Sequence, residues 1–202
     1  MLENITKTRM AQKDYKDYIE SWVHEIKLPI TSTKLLCENN KSEITNKIDE
    51  EVEKINNYVE QALFYARLDQ VSNDFMIRKI NLADVVRNVL ARNKKIMIQN
   101  NIKVEVKDIA LDVYSDEKWL EFILNQVIIN SIKYKKEQNA VITISSIDNK
   151  ENVHLKIKDN GKGIKESEIN RIFDKGFTGT NGRNQKKSTG IGLYLCKRLC
   201  EE

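Results

Sequence analysis

Residues 159–164 read Asp-Asn-Gly-Lys-Gly-Ile, and they follow directly on Val153–Lys158, a run that alternates apolar and polar residues like a half-buried β-strand. All seven glycines of the 202-residue chain lie between Gly161 and Gly192. Glycines concentrate where the backbone must turn sharply or approach a ligand closely. The sequence therefore predicts a ligand-binding loop after this strand.

A second pair of glycines lies in residues 188–193, Ser-Thr-Gly-Ile-Gly-Leu, where we predict that a helix begins. A glycine-containing loop at a helix N-terminus offers N–H groups and the positive end of the helix dipole to phosphate. Residues 177–187, between the two pairs, are polar and basic, a composition that suits a lid over a charged ligand. Either pair alone would indicate only a tight turn. Together they indicate phosphate binding.

The predicted helix Asp116–Lys135 carries four polar residues on one face: Gln126, Asn130, Lys133 and Tyr134. Asn130 stands among isoleucines, so its amide needs a polar partner such as the oxygen shell of a metal ion. A simple helix-cap or sheet-edge hydrogen bond is the alternative interpretation. In combination with the glycine loops, this face predicts an ATP site.

The sequence after Asn73-Asp74 mixes strands with helices. The predicted strands are Ile102–Val106, Ala140–Ile147 and Val153–Lys158, and the predicted helices are Leu82–Lys95, Asp116–Lys135 and Gly190–Cys200. We therefore expect residues 74–202 to form an α/β sandwich, with one mixed sheet covered by helices on one face.

Residues 8–72 contain no glycine and read as two long helices, with Ser42 as the predicted N-cap of the second. We expect residues 1–73 to form an antiparallel helical hairpin. An apolar stripe on the first helix comprises Tyr15, Ile19, Trp22, Ile26 and Ile30, and the second helix carries a similar stripe. One hairpin cannot bury both stripes, so we expect a homodimeric four-helix bundle. Packing of the hairpin on its own C-terminal half is the alternative.

The stretch His24-Glu25-Ile26-Lys27-Leu28-Pro29 contains the only proline of the chain. Counted at 100° per residue, His24 lies opposite the apolar stripe and therefore faces solvent. Pro29 cannot donate to the carbonyl of Glu25, and an interior helical proline costs about 3 kcal/mol. An exposed imidazole one turn before a costly proline predicts that chemistry takes place at His24.

Composition excludes several classes of protein. The 34 basic and 30 acidic residues leave a net charge of +4, too mild and too interspersed for direct nucleic-acid binding. No apolar run approaches the ~20 residues of a membrane span and no signal peptide opens the chain, so we expect it to be soluble as given. Cys37, Cys196 and Cys200 form no CxxC motif, which favours a reducing compartment. A soft-metal site at Cys196 and Cys200 is the alternative to burial.

Taken in order, these segments resemble the sensor histidine kinases over nearly the whole chain. Five segments resemble sequence boxes of that family. His24–Pro29 resembles its phosphoacceptor box and Leu124–Tyr134 its asparagine box. Asp159–Ile164 resembles its first glycine box, Ile172–Phe177 its phenylalanine box and Thr189–Leu193 its second glycine box. Within the family, Trp22–Lys27 and Lys175–Arg183 are most similar to the antimicrobial-peptide-sensing group, whose members carry two membrane helices. The resemblance implies the cytoplasmic portion of a bacterial membrane protein, with membrane segments outside this chain and a C-terminal domain that continues beyond Glu202.

The resemblance also implies the chemistry. His24 would take the γ-phosphate of ATP, with Glu25 as base or orienting group, and pass it to an aspartate of a response regulator. Asn130 would hold Mg²⁺, with Gln126 as a second candidate ligand. The implied ATP-binding residues are Asn130, Lys133, Tyr134, Asp159, Gly161, Gly163, Ile164, Phe173, Phe177, Thr189, Gly190, Ile191, Gly192 and Leu193.

Two other classes of function compete with this interpretation. An ATPase of the gyrase, Hsp90 and MutL type would need a catalytic glutamate a few residues before Asn130, but Glu121 is more than two turns away and Gln126 stands in the near position. A non-catalytic dimerisation scaffold would not need the glycine loops or Asp159.

Overall fold

The computed structural model describes residues 2–68, 76–149, 151–183 and 189–201. The chain divides into two compact units, Met1–Val71 and Ser72–Glu202. Each unit has a hydrophobic cluster of its own.

The first unit is a helical hairpin of α1 (Leu2–Asn39) and α2 (Glu43–Arg67). Ser42 caps α2 as the sequence predicts: its hydroxyl accepts the N–H of Thr45 at 3.1 Å, and its own N–H donates to the Thr45 hydroxyl at 2.8 Å. This reciprocal capping box satisfies two backbone donors at the start of the helix. The chain therefore breaks cleanly between the two helices.

Val23 is the centre of the hairpin interior, where it is 1% exposed and packs in a cluster with Ile30, Val52 and Val59. Trp22, which lies at one edge of the predicted stripe, is instead 40% exposed. The difference arises because α1 carries apolar residues on two neighbouring sides, and only one of these sides faces α2. The other side remains open within one chain.

Two ion pairs join the helices and fix their antiparallel alignment. Arg67 Nε lies 2.8 Å from Glu20 Oε1, and Lys34 pairs with Glu53. Between these pairs α1 runs through Pro29 without interruption. Pro29 therefore does not divide α1 into two helices.

The second unit contains five strands and five helices in its described residues. In chain order they are β1 (Arg78–Asn81), α3 (Leu82–Gln99), β2 (Lys103–Lys107), β3 (Asp112–Ser115), α4 (Glu117–Lys133), β4 (Val141–Asp148), β5 (Val153–Asp159), α5 (Glu166–Ile169), α6 (Thr180–Arg183) and α7 (Gly192–Cys200). Strands β2, β4 and β5 form a three-stranded sheet with β4 in the centre. The sheet is mixed, because β4 is parallel to β2 and antiparallel to β5.

A separate antiparallel ladder joins β1 to β3. The alternation of apolar and polar residues does not predict either strand. Each strand has only four residues and few apolar ones, as in the Arg-Lys-Ile-Asn of β1. The short helices α5 and α6 escape the helical pattern for the same reason. The structure thus adds a two-stranded ladder to the predicted mixed sheet.

Helices α3 and α4 cover one face of the mixed sheet, as predicted. Their apolar residues, among them Val85, Val89 and Ile128, form one cluster with Ile142 and Ile144 of β4. Adjacent side chains of β4 and β5 point to the opposite face, where the lysines of β5 are exposed. No helix of the described ranges is long and apolar enough to cross a membrane.

The cysteines are free thiols in α1 and α7. Cys37 and Cys196 are buried and Cys200 is exposed. Burial raises the pKa of the Cys196 thiol to about 12, and the neighbouring Cys200 adds to the shift. Burial also raises the pKa of Cys200, with a further contribution from Glu201. Of this pair, Cys196 is buried as expected and Cys200 is not, and the described residues contain no group of three metal-binding side chains around them.

A raised thiol pKa keeps the sulfur protonated to higher pH, and the thiolate is the reactive form. We therefore expect the native protein at pH 8 to react with Ellman's reagent at Cys200, more slowly than a free cysteine, and not at Cys196. Cys200→Ser should remove the rapid phase of labelling and Cys196→Ser should leave it. Loss of that phase in Cys196→Ser would contradict the assignment.

Candidate functional site

The C-terminal end of α4 meets the loop that follows β5. Tyr134 closes the helix with an N–H donated to the Asn130 carbonyl at 2.9 Å. The Tyr134 carbonyl then accepts the N–H of Lys162 at 2.9 Å. A backbone hydrogen bond thus joins the predicted asparagine segment to the first glycine loop, two segments separated in sequence by β4 and β5.

Asp159, the last residue of β5, is held at this junction by both of its carboxylate oxygens. Oδ1 accepts the Gly161 N–H at 2.8 Å, and Oδ2 lies 3.3 Å from the Ser131 hydroxyl, whose single proton is shared with the Val127 carbonyl at 3.1 Å. The side chain is nevertheless exposed, so an oriented acceptor faces solvent. Sequence reasoning missed Ser131, because only the folded pairing of α4 with β5 gives this serine a role.

Gly161 permits the close approach of the two segments. A Cβ atom at this position would lie 2.5 Å from the Tyr134 carbonyl oxygen and 2.7 Å from Asp159 Oδ1. Any side chain would therefore push the loop away from α4. Gly163 serves the loop differently, through a φ of +72° that residues with side chains rarely adopt.

The second glycine loop packs against the end of the phenylalanine segment. The Gly190 carbonyl accepts the N–H of Gly176 at 3.0 Å, and Gly190 has a φ of +67°. A Cβ atom on Gly190 would lie 2.6 Å from the Phe177 carbonyl oxygen. Helix α7 starts two residues later, and its N-cap residue Ile191 makes no side-chain capping bond. The helix thus presents its N-terminal N–H groups without a side-chain cap.

The segment between the loops is tied to both α5 and the first loop. Glu168 Oε1 accepts the backbone N–H of Thr180 at 2.8 Å and its hydroxyl at 2.6 Å. Asn181 Nδ2 donates to the Gly163 carbonyl at 3.2 Å. These contacts bring the first loop and the start of the predicted lid together, while residues 184–188 of that lid lie outside the described residues. Neither Glu168 nor Asn181 carries a sequence signal for this role.

The other predicted site residues differ in burial. Asn130, Lys133 and Tyr134 are half-buried, with the Lys133 ammonium 5.4 Å from the centre of the Tyr134 ring. Gln126 is 3% exposed, deeper than Asn130 on the same helix. The remaining predicted residues lie on the loops: Ile164, Phe173 and Thr189 are exposed, whereas Phe177, Ile191, Gly192 and Leu193 are half-buried.

His24 and Glu25 belong to the other unit. Both are exposed on α1, which is the position expected for His24 from the helical periodicity. Neither side chain has a hydrogen bond or ion pair to a described residue. The imidazole is therefore accessible for reaction.

The second unit offers the groups that a nucleotide requires. Asp159 provides an anionic acceptor, Asn130 an amide oxygen, Lys133 a cation and the start of α7 a set of backbone donors. At Gly161 and Gly190 the backbone approaches neighbouring segments so closely that a Cβ atom would clash, and these contacts fix the positions of the two loops. Anionic phosphates bind well at helix N-termini of this kind.

Comparison with known proteins agrees with this chemistry. Residues 115–202 match the family described as histidine kinase-, DNA gyrase B-, and HSP90-like ATPase. The whole sequence is similar to sensor histidine kinase YxdK of Bacillus subtilis, with 33% identity over 92% of this chain and 57% of the relative. It is also similar to sensor protein BceS of the same organism (33% identity, 94% and 57%) and to sensor histidine kinase GraS of Staphylococcus epidermidis (34% identity, 99% and 58%).

The chain spans somewhat more than half the length of these curated relatives. Among solved structures, the catalytic domain of histidine kinase ThkA matches with a TM-score of 0.55 and 26% identity, over 62% of this chain and 82% of that one. The histidine kinase AdeS of Acinetobacter baumannii shares the fold, with a TM-score of 0.58 over 87% of this chain and 85% of that one. Residues 115–202 therefore match the histidine kinase-, DNA gyrase B-, and HSP90-like ATPase family, and over nearly its whole length the chain is similar to the sensor kinases YxdK, BceS and GraS.

Proposed function

We propose that this chain is the kinase portion of a two-component sensor that phosphorylates itself on His24 and then phosphorylates an aspartate of a response regulator. The observation that carries the proposal is the junction of Asp159 and Gly161 with the end of α4, in a unit whose helix α7 begins without a side-chain cap. In the full-length protein we place the chain on the cytoplasmic side of a bacterial membrane. We further propose that the sensor responds to antimicrobial peptides, as its resemblance suggests.

The nucleotide roles follow from the chemistry of each group. Asp159 accepts from the adenine amino group, because Ser131 and Gly161 already orient its carboxylate. Tyr134 contacts the base or ribose, and Lys133 meets phosphate oxygens. Asn130 would hold Mg²⁺, which when bound neutralises phosphate charge. The N-terminus of α7 supplies further donors to the phosphates.

His24 supplies the nucleophile. A neutral imidazole has one ring nitrogen with a free lone pair, which forms the N–P bond while the bond from the γ-phosphorus to the bridging oxygen breaks and releases ADP. The other ring N–H then loses its proton, and Glu25 is placed next in sequence to accept it. The resulting phosphoramidate passes its phosphoryl group to the regulator's aspartate.

A second copy of the chain is the partner that the hairpin requires. On α2, apolar and aromatic side chains remain exposed at Ile44, Ile48, Ile55, Tyr58 and Tyr65. At 100° per residue they fall within a sector of roughly 100°, beside the side that packs on α1. Exposed apolar stripes of this length mark an interaction site. A homodimeric four-helix bundle would cover them.

The competing functions fit the residues less well. A gyrase-type ATPase needs a glutamate near Asn130 to activate water, and the preceding glutamate on α4 is Glu121, more than two turns away. Its carboxylate accepts a hydrogen bond from Asn88 of α3 at 2.9 Å. A scaffold without ATP binding would not need a glycine where a Cβ would lie 2.5 Å from a carbonyl oxygen. The His24 segment has a purpose only in the kinase.

We predict that His24→Gln abolishes phosphorylation of the protein but leaves nucleotide binding unchanged, because glutamine cannot form a phosphoramidate. The measurement is incubation with γ-labelled ATP, followed by a test for acid-labile, base-stable label. The matched control is His154→Gln, since His154 is the only other histidine and is exposed on β5. If the label persisted in His24→Gln and disappeared in His154→Gln, the phosphoacceptor would be His154 and not His24.

We predict that Asp159→Asn weakens ADP binding about tenfold to a hundredfold. Replacing a charge-assisted hydrogen bond costs about 1.5–3 kcal/mol, and 1.4 kcal/mol is a factor of ten in affinity. Titration calorimetry measures the change. The control is Asp148→Asn, at the opposite end of the β4–β5 pair. Equal affinities for both variants and the unmodified chain would place the adenine site elsewhere.

We predict that Ile55→Glu, on the exposed stripe of α2, shifts the protein from twice its 23.5 kDa chain mass toward the monomer mass. Ile55 is 49% exposed in one chain, and burial of that remaining surface in a dimer would contribute about 1 kcal/mol per copy. Analytical ultracentrifugation measures the mass. Ile98→Glu, at a 64% exposed position of α3, is the control that should stay dimeric. A dimer in both variants would refute this interface.

A further inference from the structure

Glu168 of α5 is a carboxylate that the proposed chemistry does not use. It is half-buried, whereas the other three residues of this short helix are exposed. A carboxylate that is partly taken out of water loses hydration, which hydrogen bonds must compensate. Its partners therefore indicate why an acidic residue occupies this position of a surface helix.

Glu168 caps a helix to which it does not belong. Thr180, the first residue of α6, donates its backbone N–H to Glu168 Oε1 at 2.8 Å and its hydroxyl to the same oxygen at 2.6 Å. The N–H groups in the first turn of a helix have no acceptor within the helix. Gly179, which precedes α6, has no side chain that could cap it, and an added Cβ atom there would lie 2.8 Å from Glu168 Oε2. The carboxylate thus takes the place of a local cap.

The next residue of α6 contacts the first glycine loop. Asn181 Nδ2 donates to the Gly163 carbonyl at 3.2 Å. Gly163 has a φ of +72°, and an added Cβ atom there would have no neighbour within 4 Å, so packing does not fix its conformation. Glycine adopts positive and negative φ about equally readily. The hydrogen bond from Asn181 therefore selects one orientation of the peptide that follows Gly163.

The first glycine loop is thereby held from two sides. On one side, the Lys162 N–H donates to the Tyr134 carbonyl at the end of α4 at 2.9 Å. On the other side, the Gly163 carbonyl accepts from Asn181, and this contact lasts only while α6 stays in place. A helix of four residues is too short to be stable by itself. Glu168 supplies the anchor that α6 lacks.

We propose that Glu168 is a positioning residue for nucleotide binding, because it holds α6 where Asn181 can fix the conformation of the first glycine loop. The proposal rests on the proposed function, which assigns this loop to ATP. Without the carboxylate, the loop would have to be ordered at the moment of binding, and the entropy lost in that step would lower the affinity. Glu168 acts through Asn181 and not through contact with the nucleotide.

The test compares Glu168→Leu with Glu168→Gln in the 202-residue chain. Leucine removes the acceptor, whereas the carbonyl oxygen of glutamine can still accept both donors of Thr180. The measurement is calorimetry with a non-hydrolysable ATP analogue and Mg²⁺. We expect Glu168→Leu to bind the analogue at least about fivefold more weakly, or about 1 kcal/mol, and Glu168→Gln to stay within about twofold of the unmodified chain.

The matched control is Glu166→Leu, on the same helix. Glu166 is exposed and makes no hydrogen bond or ion pair with a described residue. This variant should bind the analogue as the unmodified chain does, because it changes the charge and the apolar surface of α5 without touching the cap of α6.

Hydrogen exchange without nucleotide separates the cap from its effect on the loop. In Glu168→Leu we expect the amides of both Thr180 and Lys162 to exchange at least about fivefold faster. In Asn181→Ala only the Lys162 amide should exchange faster, because Glu168 still accepts the Thr180 N–H, and the analogue should again bind more weakly. Asn181→Ala also tests the proposal if Glu168→Leu does not fold.

The proposal would be overturned if Glu168→Leu bound the analogue within about twofold of the unmodified chain, or if Glu168→Gln lost as much affinity as Glu168→Leu. A Lys162 amide that exchanged at the unmodified rate in Glu168→Leu or in Asn181→Ala would also overturn it. Neither measurement depends on phosphoryl transfer to His24. Failure of the unmodified chain to acquire label would therefore refute the kinase function alone.

Discussion

The contact between Gly161 and the carbonyl of Tyr134 is the constraint on which the nucleotide unit depends. At this point the end of α4 and the loop after β5 approach so closely that no side chain fits between them. The Lys162 N–H closes the contact, and the Asp159 carboxylate is oriented as a result. The apolar packing of α4 and β5 is thereby supplemented by polar contacts at one end. Apolar contacts alone would allow the two elements to slide.

The hairpin is governed by a different constraint, namely that each helix has more apolar surface than one neighbour can cover. The core around Val23 and Val59 fastens α1 to α2, and ion pairs fix their alignment. The adjacent apolar sides stay open in one chain, so the same helices are suited both to hold the hairpin together and to hold two hairpins together. His24 is exposed on α1 and therefore accessible, while the core of the hairpin holds that helix in place.

The sequence was sufficient for features that depend on neighbours along the chain. Ser42 caps its helix because the capping box needs only a residue three positions on, and the long helices follow from their periodicity. It was insufficient where two distant segments meet. Trp22 could not be assigned to the inner or outer side of α1 without the position of α2, and Ser131 acquires its partner only when β5 lies beside α4. Four-residue strands such as β1 are too short to show any period.

The uncapped start of α7 links the stability of this helix to the binding of phosphate. A helix of nine residues is marginal by itself, and the side chain of its N-cap residue, Ile191, accepts none of its first N–H groups. A phosphate bound there would supply the missing acceptors and so complete the helix. Binding and local folding would then be a single equilibrium, in which ATP is a temporary structural component of the domain. Release of ATP would then return the start of α7 to a less stable state.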